Sequence, residues 1–223
     1  MRTRRSRIAS TLALAFSLSA VLGAVSLPTP LVGVVQANTN CPGSTPSFGS
    51  RFSAGPCIVD TDTAWGNGSF ILRGDLIVET GARLTLHNMD LRLDPGVEQE
   101  FRIYLVGGQL VVRGGTITSN NTNHWMLETT SDPSVLVDFD GVNVSRAGAN
   151  GGGPYSAFFI AGGQGHRFRN LTVSDSALRA DWNYAVFTIW NRDIRDFRIE
   201  NSAFRATGKV LHVVAATGPT STS

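Results

Sequence analysis

The chain has 223 residues, with 19 Lys+Arg against 17 Asp+Glu and a formal net charge of +2. With 42% hydrophobic and 16% charged residues it has enough apolar side chain for a core, which excludes an intrinsically disordered chain. The mild basicity sits at the start. Arg2, Arg4, Arg5 and Arg7 fall in the first seven positions, no acidic residue precedes Asp60, and Lys209 is the one lysine. Without residues 1–37, 15 basic residues face 17 acidic ones and the net charge is −2. The composition therefore gives no reason for a nucleic-acid partner. Twenty-four glycines and nine prolines indicate many turns, hence an all-β chain rather than a helical bundle.

Residues 1–37 read as an export signal. The Arg-rich start is followed by Ile8–Leu27, an apolar run broken only by Ser, Thr and Gly, and Pro28 and Pro30 end any helix. Val35-Gln36-Ala37 offers small residues to a signal peptidase, with the cut after Ala37. An uncleaved anchor is the alternative, since about 20 apolar residues can span a bilayer. Cleavage would leave no membrane span and an extracellular or cell-surface protein. In an oxidising compartment Cys41 and Cys57, 16 residues apart, are expected to form one disulfide. Closing such a loop contributes about 3 kcal/mol in the chain-entropy model. Two free thiols are the alternative. Residues 38–66, rich in Ser, Gly and Pro, read as a disulfide-closed cap.

Beyond the cap a repeat is legible. Leu86–Leu91, Val112–Ile117, Phe139–Val144, Phe168–Val173 and Ile199–Phe204 each run apolar, polar, Asn or Gly, two variable residues, apolar. The Asn/Gly positions are Asn88, Gly114, Gly141, Asn170 and Asn201, in steps of 26, 27, 29 and 31. These residue types accept left-handed backbone at low cost, so each is expected to turn one short strand into the next. A third apolar run precedes each corner: Leu76–Val78, Ile103–Val106, Trp125–Leu127, Phe158–Ile160 and Val186–Ile189. Three short strands per repeat describe a parallel solenoid of about five coils, right-handed as parallel crossovers are. Aligning the corners sets His87, Arg113, Asp140, Arg169 and Glu200 in one outward column, with alternating sign over the last four. Thr85, Val111, Asp138, Arg167 and Arg198 form another.

The stretch Gly74–Asn88 and the corner spacing resemble the right-handed parallel β-helix, pectate-lyase-like superfamily over residues 70–214. The resemblance implies an all-β right-handed parallel β-helix, extracellular polysaccharide or cell-surface glycan as partner, and calcium as the cofactor to test for. It implies an asparagine ladder at the corners, started by Asn170 and Asn201 and interrupted by Gly114 and Gly141. The β-helix is expected over 67–214, with a Thr/Ser tail at 215–223. Val210–Val214 reads as the first strand of a sixth coil with no cap after it, so further coils or a partner are expected at that end.

Chemistry is less legible. Asp138 and Asp140, at i and i+2 on one strand, point the same way roughly 6–7 Å apart, a separation compatible with glycosidic acid–base work. Alternatively they pair with Arg113, Arg167 and Arg169. Gly162–Phe168 approaches a calcium-binding nonapeptide, but Arg167 stands where Asp is needed. His87, His124, His166 and His212 lack metal-ligand spacing and read as outward surface residues. Asn67, Asn120, Asn143 and Asn170 begin Asn-x-Ser/Thr sequons. If Leu76, Val78, Ile103 and Leu105 point inward, Ile77, Tyr104, Met126, Phe159 and Trp190 stack outward. Tyr104 and Trp190 are then the candidates for contact with sugar rings. Two functions follow: a polysaccharide lyase or glycoside hydrolase, of which this chain is the N-terminal part, or a non-catalytic adhesin or stalk.

Overall fold

The computed structural model describes residues 56–98, 100–148, 156–176, 185–190, 194–206 and 209–213. Among them every regular element is a strand, and no helix is long and apolar enough to cross a membrane. In chain order the strands are β1 (Cys57–Val59), β2 (Thr63–Gly66), β3 (Ser69–Leu72), β4 (Leu76–Glu79), β5 (Arg83–Leu93) and β6 (Arg102–Val106). There follow β7 (Gln109–Ser119), β8 (Met126–Thr129), β9 (Leu136–Asp140), β10 (Asn143–Ser145), β11 (Phe158–Ile160) and β12 (Arg167–Arg169). The last are β13 (Thr172–Ser176), β14 (Ala185–Ile189), β15 (Arg198–Glu200), β16 (Ala203–Ala206) and β17 (Lys209–Val213). The expected leader at 1–37, Cys41 and the tail at 215–223 lie outside the described residues.

The strands form two parallel sheets. One runs β1-β4-β6-β8-β11-β14-β17. The other runs β15-β12-β9-β7-β10-β13-β16, with β5 joined to β7 and β2 and β3 joined to β5. This second sheet is strongly curled, because β5 and β7 each pass through a left-handed corner in mid-strand, at Asn88 and Gly114. All the corner residues share that backbone: φ is +46° at Asn88, +69° at Gly114, +70° at Gly141, +49° at Asn170 and +48° at Asn201. Asn67 adds a sixth at +54°, since Gly66 pairs with His87 and so sets Asn67 beside Asn88. Strand pairing accordingly begins at Cys57 and Thr63, inside the segment expected to be a cap, rather than at 67.

Register pairs place one side chain per layer in each interior column. Two residues before the corners, Trp65, Leu86, Val112, Phe139, Phe168 and Ile199 lie one above another. Three residues after the corners, Phe70, Leu91, Ile117, Val144, Val173 and Phe204 do the same. In the first sheet the column is Cys57, Leu76, Ile103, Leu127, Phe158, Phe187 and Leu211. A one-residue slip would turn any of these to solvent, which costs about 1.5–3 kcal/mol per large aliphatic or aromatic side chain. The first layer packs Trp65 on Phe70, aliphatic residues fill the next two, and phenylalanines enter from Phe139 onward, where Phe158 stacks on Phe187 at 4.8 Å and Phe168 meets both edge-on.

Some layers approach so closely that no side chain fits. A Cβ on Gly115, where φ is +92°, would lie 2.3 Å from the Met89 carbonyl oxygen. At Gly81, with φ +82°, nothing lies within 4 Å. Gly81→Ala should therefore cost about 1–2 kcal/mol of backbone strain. Gly115→Ala should cost clearly more, because the neighbouring backbone must also move. Urea unfolding midpoints of the two variants check the order.

Candidate functional site

On the outer face of the curled sheet the charged columns lie in the expected register: Arg113 beside Asp140, Asp140 beside Arg169, Arg169 beside Glu200, and Asp138 beside Arg167. The ion pairs follow the register only in part: Arg169 meets Asp140 directly opposite it, whereas the contacts to Asp138 run diagonally. Arg113 Nη2 meets Asp138 Oδ2 at 2.5 Å, while its Nη1 donates to the Asp138 carbonyl at 3.0 Å and the Val112 carbonyl at 3.1 Å. Arg169 Nη2 lies 3.2 Å from Asp140 Oδ2 and 3.7 Å from Asp138 Oδ1. Asn170 Nδ2 donates to Asp140 Oδ1 at 2.8 Å, so this corner asparagine is drawn to the carboxylate. A guanidinium reaches further than one strand spacing, which is how Arg113 and Arg169 also reach Asp138 on the diagonal. Arg167 has no ion pair with Asp138 among the described contacts; the pairing is carried by Arg113 and Arg169.

With a guanidinium on each of Asp138 and Asp140, this pair does not fit a calcium ion. Among the described residues no group of three or more His, Cys, Asp or Glu could hold a metal. Gly162–His166 is a connection packed against the preceding layer, and Arg167 and Phe168 already belong to β12. A Cβ on Gly163 would fall 2.0 Å from the Val135 carbonyl oxygen and 2.9 Å from the His166 ring.

Two of the four histidines contradict their surface assignment. His166 is completely buried, and its ring bridges the backbone: Val137 N–H donates to Nδ1 at 3.1 Å, and Nε2 lies 2.8 Å from the Gly162 carbonyl. The bridge requires the neutral Nε2–H tautomer, with Nε2 donating. Desolvation by burial, opposed by the Gly162 carbonyl, lowers its pKa below the usual 6.5. His124, 8% exposed, is held by Glu98, whose carboxylate lies 2.9 Å from Nδ1 and accepts the His124 backbone N–H at 3.0 Å. Each histidine meets a partner 26–29 residues away, a contact no local spacing announces, and His166 adds a local one to Gly162.

The first sheet carries the exposed aromatics. Its outward column by register is Ile77, Tyr104, Glu128, Phe159, Thr188 and His212, of which Thr188 is buried. Met126 pairs with Arg102 and is buried, and Trp190 lies one residue past β14, so neither belongs to the column expected for them. Two patches result, separated by Glu128. Tyr104 is half-buried under Arg102, whose Cζ sits 4.7 Å from the ring centroid. That arginine is anchored on Glu128 at 2.6 Å and Asp75 at 3.6 Å. Trp190, 45% exposed, leans on Phe159 with ring centroids 5.9 Å apart.

No protein-family model matches the chain, and neither a curated protein nor a solved structure matches it.

Two measurements probe this geometry. Asp138, with 13% of its side chain exposed against 31% for Asp140, is the more enclosed carboxylate. Asp138→Asn, which leaves Arg113 without its partner, should cost about 1–3 kcal/mol in urea unfolding, and Asp140→Asn less than about 1 kcal/mol. For His166 the folded state binds its proton less readily than the unfolded chain. Its contribution is therefore complete above pH 6.5 and is lost as pH falls towards the depressed folded pKa. Stability should drop between pH 7 and 5, and His166→Gln should flatten that slope while lowering stability at pH 7.

Proposed function

We propose that the chain is an exported right-handed parallel β-helix of the pectate-lyase-like kind that binds extracellular polysaccharide or cell-surface glycan without cleaving it. The parallel registers and the repeating positive-φ corners support the β-helix reading. Export and the Cys41–Cys57 disulfide belong to the same proposal. Cys57 is fully buried and is not a free thiol, and Cys41 is the chain's other cysteine.

The observation that carries the binding reading is Trp190, a large ring held partly in solvent by Phe159. An aromatic face with fixed orientation offers a sugar ring its apolar C–H surface at little entropic cost. Tyr104 forms a second platform, two layers from Phe159 and three from Trp190, between donors and acceptors supplied by Arg102 and Glu128. Engagement of both Asp138 and Asp140 by arginine favours a structural role for that pair over acid–base chemistry. The proposal takes no cofactor.

Co-sedimentation with insoluble pectin, alginate or related uronans tests it. The parent chain should be retained, and Trp190→Ala should weaken retention about tenfold, equivalent to about 1.4 kcal/mol. Retention unchanged in Trp190→Ala, no retention of the parent, or release of oligosaccharides with or without calcium would contradict the proposal.

A further inference from the structure

The ladder between β8 and β11 is short. Its register pairs are Leu127 with Phe158 and Glu128 with Phe159, and beyond them side chains take over. The Ala161 N–H donates to Thr129 Oγ1 at 2.9 Å, and the Gly162 carbonyl accepts from His166 Nε2 at 2.8 Å. His166 passes the tie on to β9, since its Nδ1 accepts the Val137 N–H at 3.1 Å. The segment held in this way carries the aromatic patch. Phe159 opens it, its ring 5.9 Å from that of Trp190, and the Ile160 carbonyl accepts the Trp190 N–H at 2.9 Å.

This tie exists in one protonation state. A neutral ring donates from Nε2 and accepts at Nδ1, whereas a protonated ring donates from both nitrogens. Its Nδ1–H would then face the Val137 N–H, and turning the ring over would not help, because neither nitrogen could accept. The proton would also place a charge on a residue with no exposed surface. Among the described residues no counter-charge stands by. The ring is packed by β9, by the turn at 162–165 and by Phe197, whose ring centroid lies 6.3 Å away. On those elements and on β12 itself, Asp138, Asp140, Arg167, Arg169, Arg198 and Glu200 occupy outward columns, and Arg195 and Asp196 are exposed. Burial, which lowers the ring's proton affinity, and the Gly162 carbonyl, which raises it, are accordingly the causes that set it. Uptake of a proton therefore requires the ring to leave its site, and Gly162 loses its donor when it does.

We infer that His166 is an acid-operated latch: at neutral pH it holds the end of β11 and the Phe159–Trp190 patch in place, and on taking up a proton it lets this segment open and the bound glycan go. The release of ligand rests on the glycan reading of Trp190; the opening does not. The sign follows from the geometry. In the open segment the ring titrates near its ordinary value of about 6.5, and in the closed one it stays neutral. Opening is therefore rare above that pH and grows as pH falls below it.

Hydrogen exchange of backbone amides, read by NMR at pH 7 and pH 5 and corrected for the intrinsic rate at each pH, tests the latch. The Val137, Ala161 and Trp190 amides of the parent should open about tenfold more often at pH 5, while the β5–β7 ladder keeps its protection. In His166→Gln, whose side-chain amide does not titrate, the same three should show no such dependence. Retention on the polysaccharide that holds the parent at pH 7 should fall at pH 5 for the parent and stay level for His166→Gln. Equal corrected exchange of the three amides at both pH values would overturn the latch. So would an equal rise across β5 and β7, the same acid response in His166→Gln, or undiminished retention of the parent at pH 5. A parent that is not retained at pH 7 would instead overturn the glycan reading, and the exchange of its amides would still decide on the latch.

Discussion

A residue of positive φ, set at the same level in six successive layers, turns each strand through a sharp corner and still leaves its backbone free to pair with the layers on either side. Asn67, Asn88, Gly114, Gly141, Asn170 and Asn201 do this in turn. At three of the corners the ladder is carried across: Asn67 N–H donates to the His87 carbonyl at 2.9 Å, Gly141 N–H to Arg169 at 3.1 Å and Asn170 N–H to Glu200 at 3.0 Å. Because the corner level is fixed, the apolar residues two before and three after it fall into continuous interior columns. The outward residues fall into columns as well. Core, charge lattice and aromatic patches are all consequences of that one alignment.

Charge then has a supporting part. Arg113, Asp138, Asp140 and Arg169 form a chain of ion pairs across three layers, in which Asp138 and Arg169 each hold two partners. Individual partly exposed pairs contribute little, but a slipped register would bring like charges together. The lattice therefore discriminates between registers more than it adds stability. His166 does comparable work from inside, tying the Val137 and Gly162 backbones of successive layers with one neutral ring. Its uncharged state makes that tie sensitive to acid.

Much of this architecture is legible in the sequence, for a physical reason. Asn and Gly stand out where left-handed backbone is needed, and apolar residues at fixed offsets mark the interior. Asn67 escaped the spacing because its step to Asn88 is 21 residues, shorter than the others, although Trp65 and Phe70 flank it at the same offsets. The first-sheet register was harder to read, since Trp125-Met126-Leu127 is apolar throughout and has no alternation to show which side chain faces in. Only the pairing of Leu127 with Ile103 resolves it, burying Met126 and setting Glu128 beside Tyr104. The burial of His124 and His166 and the diagonal contacts to Asp138 depend on contacts between layers, which linear spacing does not encode.

The central claim is that the corners hold the layers in one parallel register from first to last. Ser69, Asp90, Thr116, Asn143, Thr172 and Ala203 occupy a single outward column, five layer spacings from end to end. Spin labels at Ser69→Cys and Ala203→Cys, measured by pulsed dipolar spectroscopy in excess unlabelled chain, read that separation directly. At about 4.8 Å per layer a narrow distribution centred near 24 Å, broadened by the label linkers, is predicted. A broad distribution, or one displaced by more than the linkers allow, would contradict the account.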